Sequence, residues 1–184
     1  MSNHYPNLNP EKALIWRITH KDNIPWILDN GLHCASSNIL DPDYVAIGSR
    51  ELIERRKTRE ISISPKGTLS DYIPFYFTPF SPMMYNIYTG RGDVCQQDNE
   101  NIVILASSLY KLQEIEKPFI FTDRHAYTPF AMFYNSLTQL NKIDWNLLQI
   151  RNFKRNSDDP EQIERYQAEA LVHQYLPIKG LLGI

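Results

Sequence analysis

The sequence predicts an irregular mixed α+β fold, with all of residues 1–184 in one domain, and three observations carry that reading. Strand-like and helix-like segments alternate, but the helical ones lack the regular length of roughly 10–15 residues found in a doubly wound sheet. Glycine is scarce, with seven against twelve prolines in 184 residues. No GxGxxG or GxxxxGKS/T run occurs, so any dinucleotide bound here is not held by a Gly-rich loop at a helix N-terminus. No repeat, linker or low-complexity stretch divides the series.

The elements follow in order. Ala13–Thr19 (ALIWRIT) mixes apolar and β-favouring residues and reads as a strand ending at His20. Asp22 is the expected N-cap of a short helix, NIPWILDN, stopped by Gly31. Residues 33–47 are polar and irregular, and a helix is expected from Ser49 through the charge-dense run 54–59. Ser64-Pro65-Lys66-Gly67 is turn material. Tyr72–Thr78 (YIPFYFT) is a strong strand whose early part, because of Pro74, belongs at an edge or a bulge. Ser81-Pro82 pairs a cap with a proline at the first helical position, and that helix stops at Gly90. Asn101–Ser107 is a buried strand, Ser108 caps the helix after it, and Pro118–Thr122 is another strand. Thr128-Pro129 repeats the cap-proline pattern before FAMFYNSLTQL, whose apolar spacing is helical. Asp144 starts a short helix, 151–160 is loop, and Ala168–Gln174 is compatible with strand or helix. Leu181–Ile184 reads as the beginning of a sheet strand.

Composition excludes several classes. With 42% hydrophobic and 22% charged residues the chain is globular rather than disordered. Nineteen basic against twenty-one acidic residues give a net charge of −2, so a nucleic-acid contact must use a local patch. Cys34 and Cys95 are too few for a zinc tetrad or a disulfide scaffold. No apolar run approaches the roughly 20 residues of a membrane helix, and MSNHYPNLNPEKA is not a signal peptide. The expectation is a soluble, cytoplasmic monomer.

Four places combine polar groups with apolar frames. His20 stands where a strand runs out into a loop, well placed to meet a ligand or equally to serve as a satisfied histidine. The run 54–59 holds four cations in six residues. It is suited to phosphate or to a solvated helix face compensated by Glu51, Glu54 and Glu60. In FYFTPFSPMMY, alternation sends Phe75 and Phe77 to one face and Tyr76 to the other, where a flat ring can stack. Glu169 lies among apolar residues, a costly position unless it is paired or functional. As a strand residue it shares a face with Leu171 and His173; as a helix residue it falls four positions from His173.

The order of these blocks is more specific than any one of them. WRITH (16–20), ELIERR (51–56), YIPFYFTPFSPMM (72–84), NIVIL (101–105), FTDRHA (121–126) and ERYQAEALV (164–172) together closely resemble the DarT family. These are DNA ADP-ribosyltransferase toxins of toxin–antitoxin operons. The resemblance implies an ADP-ribosyltransferase fold, a split β-sheet core with short flanking helices that grips NAD without a Rossmann motif and uses no metal. It implies transfer of ADP-ribose to thymidine in single-stranded DNA within a short sequence context. A macrodomain antitoxin, DarG, would reverse the mark and bind the toxin. By position, it assigns Glu169 as catalytic, with Arg56 in the segment that covers NAD; the adjacent Arg55 leaves that assignment open by one residue. It places His20, Thr19, Gly31, Tyr76 and Met84 around NAD, and His125, Tyr127, Arg151, Lys154, Arg155 and Arg165 on the DNA side. Family members continue past the point equivalent to Ile184, so the last strands of that fold are expected to lie outside these residues.

Other acceptors, such as guanosine, RNA or protein, remain open at this level, as does an inactive fragment that only binds DNA. A metal-dependent nuclease using His20, Asp22, Glu169 and His173 fails to account for the order of the basic and aromatic blocks.

Overall fold

The computed structural model describes residues 4–154 and 156–184. Leu14–His20 forms β1 and a 3-10 turn over Lys21–Asn23 leads into α1, Ile24–Asn30. Asp22 does not cap that helix. The intervening turn instead exposes the Asp22 N–H, which His20 Nδ1 accepts at 3.2 Å. Gly31 ends α1 with φ of 77°. Its hydrogen is required there, because a Cβ would meet the Leu176 carbonyl at 2.7 Å.

Leu32–His33 is β2. Ser49 accepts the Leu52 N–H and caps α2, Arg50–Arg56. A small hairpin, β3 (Glu60–Ile61) with β4 (Gly67–Thr68), precedes β5, Tyr72–Tyr76. The Ser81 cap and Pro82 start α3, Pro82–Thr89, which Gly90 closes in the left-handed region. Ile102–Ser108 is β6 and Ser108 caps α4, Leu109–Glu114. Phe119–Thr122 is β7 and Phe133–Tyr134 is β8. Asp144 caps α5, Trp145–Gln149, which is followed by α6, Gln162–Tyr166. Glu169–His173 is a strand, β9, and Tyr175–Leu176 is β10.

The helix expected over FAMFYNSLTQL does not form. Phe133 and Tyr134 pair with Thr122 and Phe121, and the Tyr134 ring stacks on Phe121 with centroids 5.4 Å apart. Thr128 turns its hydroxyl back to the His125 carbonyl rather than forward as a cap. Tertiary pairing with β7 overrides the helical spacing, and only the 3-10 turn Leu137–Lys142 remains.

Six strands make one antiparallel sheet in the order β6-β1-β5-β9-β7-β8. It is split in the middle. All seven residues of β1 pair with β6 and all five of β5 pair with β9, whereas β1 and β5 share only Trp16–Tyr76. The early part of β5 is therefore an edge toward β1, which is where Pro74, lacking an N–H, is tolerated. Arg17 Nη1 donates to the Pro74 carbonyl at 3.0 Å.

One face of the sheet buries Ile73, Phe75, Phe121, Ala170 and Val172, with Phe77 beyond β5, against the short helices, including Leu109, Leu112, Leu147 and Leu148. On the opposite face, Tyr76 joins a smaller cluster with Ile18, Ile47 and Ile87. Leu182 and Gly183 bridge to Ala106 on the outer side of β6, at 2.8 and 2.9 Å, as the strand-like C-terminal residues foretell. Among the described residues no helix is long and apolar enough to cross a membrane.

Candidate active site

Tyr76 and Glu169 are cross-strand partners of β5 and β9, so their side chains leave the sheet on one face. That face meets α2, whose Leu52, Ile53 and Arg56 recur at helical spacing and turn inward together. Arg56 Nη1 donates to Glu169 Oε2 at 2.9 Å, with the residues 8% and 2% exposed. Arg55, one position and about 100° round the helix, is exposed and pairs with Glu51. Of the two arginines, Arg56 is the one that faces the carboxylate and the cavity.

Glu169 Oε1 accepts the Ala126 N–H at 2.9 Å, and the His125 ring lies 3.8 Å away. Thr122 Oγ1 accepts the Glu169 N–H at 3.1 Å and fixes the backbone beneath it. Burial pushes the Glu169 carboxyl up, but the Arg56 guanidinium, the His125 ring and the Ala126 N–H outweigh it and hold the group below its ordinary value of 4.5. The acid is thus ionised although buried. Burial, with the Glu169 charge adding to it, pushes the Tyr76 phenol up to about 12, so its ring is a neutral wall at pH 7.

These groups line a cavity of about 220 Å³, which Arg17, Tyr44, Ile47, Met83 and Asn86 complete. It adjoins a second of about 380 Å³, lined in part by Trp26, Gly31, Leu40 and Tyr72. Arg17, Tyr44 and Arg56 belong to both. Two buried guanidinium nitrogens here, Arg56 Nη2 and Arg17 Nε, have no hydrogen-bond partner among the described residues. A buried donor left unpaired is costly, and an anionic or hydroxyl-bearing ligand would relieve both. Among the described residues no group of three His, Cys, Asp or Glu side chains could hold a metal.

The other expected positions are placed as follows. Met83 rather than Met84 lines the cavity, and its sulfur takes the Tyr76 hydroxyl at 3.6 Å; Met84 packs in the apolar cluster behind it. Thr19 and His20 line neither cavity. The Thr19 hydroxyl accepts from Asn23, and His20 Nδ1 is spent on the Asp22 N–H. On the DNA side, Arg165 is held by Asp159 at 2.6 and 3.0 Å and by Asp144 at 3.3 Å. Arg151 lies 3.7 Å over the Phe80 ring and bonds the Tyr5 hydroxyl. Both are structural cations rather than free ones. Lys154 is exposed, and Arg155 lies outside the described residues. His125 touches the carboxylate, and Tyr127 lies under the Arg55 guanidinium at 5.9 Å.

Sequence reasoning missed the exposed apolar residues of the β7–β8 connection, Phe130 at 71% and Met132 at 58% exposure. Misreading that stretch as a helix hid them. It also missed Arg17, for which a cation in the middle of a β-patterned run was the available signal.

The residues 16–184 match the family model described as DarT, an ssDNA thymidine ADP-ribosyltransferase. The chain belongs to the DarT family. It is 54% identical over 178 residues to a DNA ADP-ribosyl transferase of Escherichia coli O127:H6, covering 97% of this chain and 82% of that protein. The fold is similar to that of Thermus sp. 2.9 DarT in complex with ADP-ribosylated ssDNA, with a TM-score of 0.84 and 35% identity over 98% of this chain and 82% of that one. It is also similar to Thermus sp. 2.9 DarT in complex with NAD+, with a TM-score of 0.80 and 35% identity over 94% and 80%. The split sheet and the buried Arg56–Glu169 pair are thus features of a DarT-family chain.

Proposed function

We propose that this chain transfers ADP-ribose from NAD to the N3 of a thymine in single-stranded DNA, with Glu169 and Arg56 as its catalytic residues. Family membership carries the reaction class, DNA ADP-ribosylation with NAD as donor. The observation that supports these roles is the buried Arg56–Glu169 pair lining the smaller cavity, with Arg56 shared by both cavities and its Nη2 without a partner among the described residues.

Breaking the N-glycosidic bond of NAD builds positive charge on the ribose, as in glycoside hydrolysis. Glu169 is fixed by one N–H on each oxygen, which leaves lone pairs for a ribose hydroxyl. Its hold strengthens as the charge grows, so it favours the transition state over the ground state. Nicotinamide leaves neutral and needs no acid. The thymine N3 bonds the ribose carbon that nicotinamide leaves, and its proton passes to solvent water. Arg56, a cation at any working pH, stabilises the anion that develops there. The neutral Tyr76 ring and Met83 wall the smaller cavity.

Single-stranded DNA suits a chain of near-zero net charge. Its bases are already unpaired, so unstacking costs little, and exposed apolar side chains take part of the binding that charge supplies elsewhere. Phe130 and Met132, on the segment that begins at the carboxylate, fit that task. The cytoplasm, a monomeric state and a macrodomain antitoxin as partner complete the reading.

Incubation with NAD and an oligonucleotide containing one thymidine tests it. A strand heavier by one ADP-ribose is expected, lost when thymidine is replaced and lost in Glu169→Gln. Modification of an oligonucleotide without thymidine would overturn the acceptor, and an active Glu169→Gln would overturn the catalytic assignment.

A further inference from the structure

We infer that Asn23 is a positioning residue that latches the covering segment 37–48 over the two cavities and so sets affinity for NAD; this rests on the proposed function. Asn23 is wholly buried yet belongs to neither cavity. Its carboxamide is spent on one residue of the segment. Asn23 Oδ1 accepts the Val45 N–H at 2.8 Å, and Asn23 Nδ2 donates to the Val45 carbonyl at 3.0 Å and to Thr19 Oγ1 at 3.1 Å. A side chain that takes both backbone groups of a distant residue replaces a strand partner for it.

The segment needs such a tie. Between Ser37 and Tyr44 its hydrogen bonds close on residues within or just before it: Ile39 N–H to Ser37, Asp43 N–H to Asp41, Tyr44 N–H to the Asp41 carbonyl, Ser37 to His33. Ahead of it Ser36 is held by Ser70 and Asp71, and behind it Ser49 meets Asp93. Within the segment Leu40, Tyr44 and Ile47 are walls of the cavities, and Leu40 and Tyr44 are still 58% and 45% exposed. Ile47 is anchored by packing in the cluster with Ile18 and Ile87, but Leu40 and Tyr44 expose too much surface to be held that way, so the Asn23–Val45 pair fixes where those two stand. Thr19, which lines neither cavity, gains a role as the third support of the same carboxamide.

The test uses the whole chain. Wild type must first bind and turn over NAD; failure there overturns the proposed function itself and is seen before any variant is made. Asn23→Ala should then raise KM for NAD about tenfold, as expected when the two hydrogen bonds to Val45 are lost. kcat at saturating NAD should stay within about twofold, and amide exchange should quicken in 37–48 but not in β5 or β9. Val45→Pro removes the N–H from the other side, leaves the core asparagine intact, and should reproduce the KM rise if Asn23→Ala does not fold. An unchanged KM with faster exchange in 37–48, or exchange quickened across the whole sheet, would overturn the latch.

Discussion

Glu169 and Arg56 are each tolerable in a buried site only because of the other. Removing one partner of a buried ion pair costs about 3–5 kcal/mol, because the survivor is left uncompensated. Arg56→Met is therefore expected to destabilise the chain by that order in a urea titration, as well as to remove the stabilising cation. Glu169→Gln keeps the shape but only one acceptor oxygen, so either the Arg56 or the Ala126 N–H loses its partner and Arg56 its counter-charge. It too should be destabilised, while its transferase rate falls by about a hundredfold or more. The pH dependence has a definite sign. The folded carboxyl sits below 4.5, so the ionised pair contributes stability in full above that value and loses it as pH falls through the folded one. The stability difference between wild type and Glu169→Gln should hold constant from neutrality down to about pH 4.5 and close only below it; a difference that closes well above 4.5 would contradict the pairing.

At the scale of elements, caps and stops were legible because they are local. Ser49, Ser81, Ser108 and Asp144 all cap the helices they precede, and Gly31 and Gly90 end theirs. Arg56 was legible only to within one residue; that it shares an inward face with Leu52 and Ile53, while Arg55 does not, is seen only in the structure. What sequence could not give was pairing at a distance. Phe133 and Tyr134 have helical spacing, and only the edge offered by β7 makes them a strand. That error carried the functional surface with it. Phe130→Ser should raise KM for the oligonucleotide about fivefold or more, the loss of one stacking contact, while KM for NAD stays unchanged. Equal KM values for both variants and both substrates would remove Phe130 from the DNA surface.

Taken whole, the molecule answers a question that its composition left open, namely how a nearly neutral chain holds a polyanion. Two of the four cations expected in the basic patch are absorbed by the fold. Arg165 is bound to two aspartates and Arg151 to an aromatic pocket, although their positions in a polar loop suggested free charges. Sequence shows that a residue is charged but not whether its partner waits 21 residues away, as Asp144 does for Arg165, or 146, as Tyr5 does for Arg151. Few phosphate contacts should therefore be made. For single strands each contact contributes about 0.7 to the slope of log affinity against log salt. A slope no steeper than about −3 is expected from titrations across salt concentrations; a much steeper slope would mean that phosphates, not bases, dominate the contact.

The Ala126 N–H on the Glu169 carboxylate has a thermodynamic corollary. On the proposed function, the backbone leading to Phe130 and the carboxylate that steadies the ribose are joined by one hydrogen bond, without an intervening residue. A strand that shifts this backbone must alter the grip on the sugar, and by reciprocity the sugar must alter the grip on the strand by the same factor. On that reading, NAD should bind a strand-loaded chain and a strand should bind an NAD-loaded chain with one shared coupling factor.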